Sequence, residues 1–220
     1  MQWERIEAPA PYEVFPRLRE LGVNHGFAVR QPGVSTRSDR ALALQGLRPV
    51  HREILSAAWS SPRQFHTAEQ VHGNAIAVAR GDSICHEGAD ALVTADPSVG
   101  LGIYTADCCA VFLWDLRRRA IGLVHSGAKG TALGIVPRTI QAMGLQFGCD
   151  PGELVAVLSP CIRPPRYEVD FAAEIRAQCF RAGLREVWDG GECTGGDLRR
   201  FYSYRMEQGL TGRMLGFLSL

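Results

Sequence analysis

Three side chains in this 220-residue chain have chemistry that fits together: His72 in EQVHGN, Cys108 in TADCCAVF and His125 in LVHSGAKG. Each stands where a short apolar run gives way to small or polar residues, which places it at a strand end rather than mid-strand. One thiolate and two imidazoles make a good zinc ligand set. Three protein ligands leave the fourth tetrahedral position open, the pattern of a catalytic rather than a structural zinc site. Cys108 with His125 as its base also reads as a metal-free cysteine hydrolase acting on amides. The bland alternative makes Cys108 and Cys109 core residues and His72 a turn residue. Spacing leaves these readings open, because the three positions are far apart and no CxxC pair occurs. Copper is disfavoured. A blue-copper site usually takes its cysteine and a later histidine from one short loop, and the six histidines here are too few for a multicopper oxidase.

Other residues could serve such a centre. Lys129, the only lysine in the chain, lies four residues past His125 on a glycine-flanked turn. An ammonium there is placed to hold phosphate or stabilise a developing oxyanion, although lysine is usually a solvated surface residue. Asp107 is a candidate general base or substrate-ordering group, against the tendency of strand neighbours to point to opposite faces. Alternation puts Gln70 on the same strand face as His72, where it would bond substrate or order a ligand. Arg30 and Ser35 flank a Pro-Gly turn and are candidates for phosphate. His25, His51, His66 and His86 are expected to be structural or exposed.

The elements that must position these groups are legible in outline. Apolar runs at Ala91–Thr94, Leu101–Thr105, Ala110–Trp114 and Ala120–Val124 read as strands, separated by polar turns. GVNHGFAVRQPGVS reads as a strand entering a turn, and FHTAEQVHGNAIAVA as two strand-like pieces around His72, Gly73 and Asn74. HREILSAAW reads as a short helix. Leu133, Val136, Ile140 and Met143 mark one face of another, kinked or restarted at Pro137. ELVAVLSP is a buried strand, and DFAAEIRAQCFRAG a helix capped by Asp170 and ended by Gly183. The tail FYSYRMEQGLTGRMLGFLSL reads as a short helix, a turn and a final strand. The mixture predicts an α/β fold with antiparallel pairing beside crossovers.

Bulk properties narrow the class. With 46% apolar residues the chain can bury a sizeable core. A net charge of +1 gives no basic face for nucleic acid. No run of about 18 apolar residues suggests a membrane span. Charge at Glu4 and Arg5 with no apolar run behind it argues against a signal peptide, so a cytoplasmic protein is expected. The odd count of seven cysteines reads as reduced thiols.

In order along the chain, HGFAVRQPGVS, EQVHGNAIAV, GADALVTADPSVGLGIYTADCCAVFLWD, IGLVHSGAKGTALGIV, SPCIRPPRYEV and CT…RFYSYRMEQGLTGR resemble the YfiH family, long labelled polyphenol oxidoreductase or laccase-domain proteins. The resemblance runs from about Val23 onward and takes residues 1–220 as a single domain. It implies one zinc held by the histidine of QVHG, the cysteine of ADC and the histidine of the HAGWRG segment, here His72, Cys108 and His125. It implies phosphorolysis of adenosine, inosine or methylthioadenosine, adenosine deamination, and in bacterial members editing of peptidoglycan precursors. It also implies a layered α/β/β/α fold with mixed sheets, like the catalytic domain of cytotoxic necrotizing factor. The expected partners are then a purine nucleoside and phosphate, with the chain a monomer or homodimer. Two departures stand out. HAGWRG reads HSGAKG here, with Ser126, Ala128 and Lys129 in place of alanine, tryptophan and arginine. The segment between YEVDFAAEI and ECT is also shorter than usual. Lysine keeps the charge of arginine without its planar fork, and Ala128 leaves room where an indole would stand. The altered segment also admits a scaffold with a vestigial site.

Overall fold

A computed structural model describes residues 2–59, 61, 63–81 and 84–220. Thirteen strands among them form two mixed sheets. The first sheet runs in the order β1 (Glu4–Ile6), β2 (Tyr12–Val14), β3 (Asn24–Ala28), β13 (Met214–Ser219), β8 (Val99–Thr105), β4 (Gln64–Ala68), β6 (Cys85–His86). It is antiparallel as far as β8 and parallel beyond it. The second runs β12 (Glu186–Asp189), β11 (Leu154–Leu158), β9 (Cys109–Asp115), β10 (Ala120–Ser126), β7 (Ala91–Thr94), β5 (Ile76–Val78). Its centre is antiparallel and both edge pairs are parallel.

Strand alternation sorts the apolar side chains into layers. Phe27, Leu101, Ile103 and Leu218 of the first sheet meet Leu92, Phe112, Leu123 and Val157 of the second in one buried cluster. Their strand neighbours Val93, Val111, Leu113 and Ala156 face the other way, against helices α4 (Ile135–Phe147) and α5 (Phe171–Arg181). The outer face of the first sheet, with Val14, Ala28, Leu215 and Phe217, is covered by Ile54 and Leu55 of α2 (Arg40–Ala58). The order is helix, sheet, sheet, helix, the layered α/β/β/α arrangement expected. A further short helix, α1 (Pro16–Glu20), precedes β3.

The four central strands fall where their apolar runs placed them, each within two residues. Asp170 caps α5 by accepting from Ala173 N–H, and Gly183 follows it in the left-handed region. The helix expected around Pro137 is two helices: α3 (Ala128–Ala132) ends at Leu133, Gly134 turns the chain at φ 69°, and Pro137 sits in the first turn of α4, where its missing N–H costs nothing. Two expectations are corrected. The helix read over HREILSAAW begins at Arg40 and continues through Pro49, because Asp39 caps it and Ala43, Leu47, His51, Ile54 and Leu55 form one buried stripe. The helix expected in the tail is absent. Residues 204–209 are turns, since Ser203 and Arg205 N–H groups donate to the carboxylates of Glu207 and Asp107 instead of to helical carbonyls. All seven cysteines are free thiols, and Cys109 is buried in the core, as expected.

Candidate metal centre

Three segments that carry the chain from one sheet to the other converge on a single cleft of about 610 Å³. Residues 69–75 link β4 to β5, residues 106–108 link β8 to β9, and residues 190–213 link β12 to β13. His72 comes from the first link and Cys108 from the second. His125 lies near the end of β10, opposite Ala110 of β9. Ligand atoms of all three lie within 4.8 Å of one another. The His72 and His125 rings meet edge to face. His125 is buried, Cys108 half-buried and His72 exposed, so the cluster opens to the cleft on one side.

Asp90, which the sequence analysis did not single out, holds this arrangement. It is fully buried at the head of β7. Its Oδ1 takes a hydrogen bond from His125 Nδ1 at 2.8 Å and from the His72 backbone N–H at 2.9 Å. Its Oδ2 takes those of Val71 and Gly73 at 3.2 and 2.7 Å. Three successive backbone N–H groups therefore wrap one carboxylate, and His72 adopts φ 61° to make this possible. The same carboxylate fixes the His125 ring with Nε2 as its free nitrogen, the orienting role that carboxylates play behind metal-ligating histidines. The signal was present: an acid in GADALVT at the head of an apolar strand needs partners to be buried.

The electrostatics follow from these contacts. Burial opposes ionisation of Cys108, but hydrogen bonds and charge from His125 and His72 outweigh it and bring the thiol down to about 6. Burial also opposes the His125 imidazolium, yet Asp90 and Cys108 outweigh it and raise His125 to about 9. Burial would lift the Asp90 carboxyl, but His125 and the backbone donors hold it below its ordinary value. Gly127 completes the cradle: a Cβ there would stand 2.5 Å from Cys108 Sγ, so only glycine lets the sulfur settle against the start of α3.

The remaining sequence candidates divide. Asp107 and Lys129 line the cleft. Asp107 and Cys108 both reach it because 106–108 is not strand and Asp107 has φ 89°. The Asp107 carboxylate is already engaged, accepting from Thr194 Oγ1 and Arg205 N–H, both at 2.7 Å. Lys129 is exposed on the first turn of α3 and has no carboxylate partner among the described residues. Gln70 lines the cleft too, but the alternation argument for it does not apply: residues 69–75 form a loop, and Gln70 has φ 66°. Its amide clasps Tyr104, donating to the carbonyl at 2.5 Å and accepting from the N–H at 3.0 Å. Arg30 and Ser35 are not part of the cleft wall. The Arg30 guanidinium bonds Glu207 and the Phe201 carbonyl and lies over the Tyr202 ring, and Ser35 is exposed. His25, His51 and His66 are buried away from the centre, and His86 is paired with His66. Arg40, Arg213 and the aromatic residues Tyr167 and Phe171 also line the cleft, and none of them was assigned a role from sequence.

Fold and site together define an α/β/β/α protein built around a His–Cys–His cluster able to hold a metal ion. The profile of the family described as "Multi-copper polyphenol oxidoreductase laccase" matches residues 24–179 and 169–220. The chain belongs to that family. A Deinococcus radiodurans protein named "Purine nucleoside phosphorylase" is 35% identical over 238 aligned residues, covering 93% of this chain and 92% of the relative. "Purine nucleoside phosphorylase YfiH" of Escherichia coli is 26% identical, covering 77% of this chain and 79% of its own. Among solved structures, hypothetical protein YfiH of Bacillus licheniformis superposes with a TM-score of 0.84 at 21% identity, covering 99% of this chain and 98% of the other. YlmD of Geobacillus stearothermophilus gives 0.75 at 22% identity, covering 100% and 96%. These likenesses establish the fold. No helix among the described residues is long and apolar enough to cross a membrane.

Proposed function

We propose that this chain is a zinc-dependent purine nucleoside enzyme, which cleaves adenosine, inosine or methylthioadenosine with phosphate and also deaminates adenosine. The observation that carries the reading is the convergence of His72, Cys108 and His125 on the cleft with Asp90 behind them. The names of the relatives supply the substrate class. The donor set suits zinc: one sulfur, two imidazoles and an opening to the cleft on one side. The ligand atoms lie within 4.8 Å of one another, close enough that the three residues would hold one ion together. Copper oxidation is disfavoured because the four other histidines lie outside the cleft.

Zinc, when bound, supplies Lewis acidity towards a substrate oxygen or water. The chain's own residues do the rest. Asp90 keeps His125 in the tautomer that offers Nε2. Asp107, through Thr194 and Arg205 N–H, ties the tail segment to the cleft floor, and so acts as a positioning residue. Lys129 brings an unpaired ammonium to an anionic group beside the cluster. In phosphorolysis the bond from C1′ to the base nitrogen breaks, a C1′–O bond to phosphate forms, and the base leaves with a proton on nitrogen. In deamination, water replaces the C6 amino group and ammonia leaves. A cytoplasmic site of action accords with purine nucleoside substrates.

The test pairs elemental analysis with phosphorolysis and deamination assays on adenosine, inosine and methylthioadenosine. About one zinc per chain and phosphate-dependent release of base are expected. His72→Ala, Cys108→Ala and His125→Ala should each abolish turnover. A protein with no metal and no turnover of any nucleoside would refute the proposal and leave a vestigial site. The Asp90–His125–Cys108 relay also supports a second reading, a metal-free cysteine hydrolase editing peptidoglycan precursors. That reading predicts rapid alkylation of Cys108 in protein as purified, whereas stoichiometric zinc would protect the sulfur.

A further inference from the structure

Among the described residues, the cleft wall carries more positive than negative charge. Arg40, Lys129, Arg205 and Arg213 line it, against one lining carboxylate, Asp107, whose oxygens are already taken. Arg205 has an outside partner in Glu168 at 3.1 Å. Arg40 and Arg213 have only neutral ones. Arg40 donates one nitrogen to the Glu69 carbonyl. Arg213 donates one nitrogen to the carbonyls of Thr211 and Gly212, and its guanidinium stands 5.8 Å from the Tyr204 ring centre. Among the described residues neither makes an ion pair. Both groups face the same cleft; burial and the charge of Arg40 work against the Arg213 charge, while Tyr204, Cys108 and Asp107 favour it. Each retains a free edge of N–H donors. Two guanidinium groups on one cleft wall, neither held in an ion pair among the described residues and both with open forks, suit the recognition of a tetrahedral oxyanion.

We propose that Arg40 and Arg213 form a phosphoryl-binding subsite in the cleft, beside the His72–Cys108–His125 cluster. This deepens the nucleoside reading and rests on it for the identity of the substrate. The same chemistry fits two sources, free phosphate as the attacking group or the 5′-phosphate of a nucleotide substrate. The subsite differs from the turn at Arg30 and Ser35, because Arg30 is committed to Glu207 and neither residue reaches the cleft. Arg40 is exposed at the start of α2 and takes no part in the core, so it can be changed without disturbing the fold.

The test uses zinc-loaded wild type and Arg40→Ala, with Arg40→Lys as the charge-keeping control and melting temperature and zinc content as fold controls. Calorimetry with inorganic phosphate should show binding to wild type, at least tenfold weaker binding to Arg40→Ala and partial recovery in Arg40→Lys. If free phosphate is the ligand, the phosphate KM at saturating adenosine rises at least tenfold in Arg40→Ala. If a nucleotide is the ligand, adenosine 5′-monophosphate has a KM well below that of adenosine, and Arg40→Ala erases the difference. Phosphate affinity and both kinetic comparisons within twofold of wild type would overturn the subsite. Wild type that turns over no nucleoside refutes the nucleoside reading instead. In that case calorimetry alone decides: phosphate binding lost in Arg40→Ala supports the subsite, and no binding to wild type removes it.

Discussion

Asp90→Asn changes one atom of the residue on which the candidate centre depends, and its effect can be worked from the hydrogen bonds. Asp90 accepts four: two at Oδ1, from His125 Nδ1 and His72 N–H, and two at Oδ2, from Val71 and Gly73 N–H. Asparagine has one acceptor oxygen and one donor NH₂. If its oxygen stays at the first position, the NH₂ faces the Val71 and Gly73 donors. If the amide flips, the NH₂ faces His72 N–H and turns His125 Nδ1 into an acceptor, which moves the proton to Nε2 and spoils the metal-ligating nitrogen. The first arrangement loses two bonds to a buried charge, each worth about 1.5–3 kcal/mol; the second loses one and reverses the other. Removing such a supporting carboxylate typically costs about 10–100-fold in metal affinity. The expected result is a zinc affinity at least tenfold weaker, measured by competition with a chelator. The melting temperature should also fall by more than about 5 °C, since each kcal/mol shifts a chain of this size by about 2–4 °C. Zinc affinity within twofold of wild type together with an unchanged melting temperature would refute the reasoning, because the loop at 71–73 would then be held by something other than Asp90.

Gly127→Ala places a methyl 2.5 Å from Cys108 Sγ on a backbone whose φ of −102° suits alanine, so zinc content should fall sharply with little loss of melting temperature; full zinc occupancy in this variant would contradict the packing argument. Lys129→Ala removes an exposed, unpaired charge and should lower kcat/KM for phosphorolysis about tenfold with no change in melting temperature; unchanged kinetics would return Lys129 to the solvated surface. Burial would lift the Glu207 carboxyl, but Arg30, Ser203 N–H and Thr211 hold it below its ordinary value, so its stabilisation is complete above its unfolded value of about 4.5 and is lost as pH falls through the folded value. Glu207→Gln should therefore cost about 1–2 kcal/mol at pH 7 and flatten the acid limb of a stability profile below about pH 4.5; parallel profiles would exclude this role.

What the sequence revealed was local. Leu92 and Phe112 sit in runs bounded by charged turns, so their strands could be read directly, and Asp170 with Gly183 marked both ends of α5. Pro49 hid the first half of α2, because the buried stripe that overrides it is visible only against the sheet. The pattern of Gln70 and His72 suggested a shared strand face, but their positive φ values come from wrapping Asp90 and clasping Tyr104, which are distant in the chain. The three residues of the candidate centre could be picked out by type and family resemblance. Asp90, Arg40 and Arg213 could not, since their importance lies in what they do or do not pair with in space.

The position of the centre explains why one carboxylate matters so much. His72 and Cys108 lie on links between sheets, where no ladder of backbone bonds fixes them. A loop of that kind holds a ligand only if something orders its backbone, and the wrapped Asp90 does so with three N–H groups at once. Burying that charge is costly unless all its partners arrive together. Closing the loop, orienting His125 and assembling the ligand set are therefore one event rather than three. An ion bound to the finished cluster stabilises the whole folded state through the same contacts. Added zinc should raise the melting temperature of metal-free wild type, and should raise that of Asp90→Asn less, because in the variant part of the binding energy goes into ordering the loop.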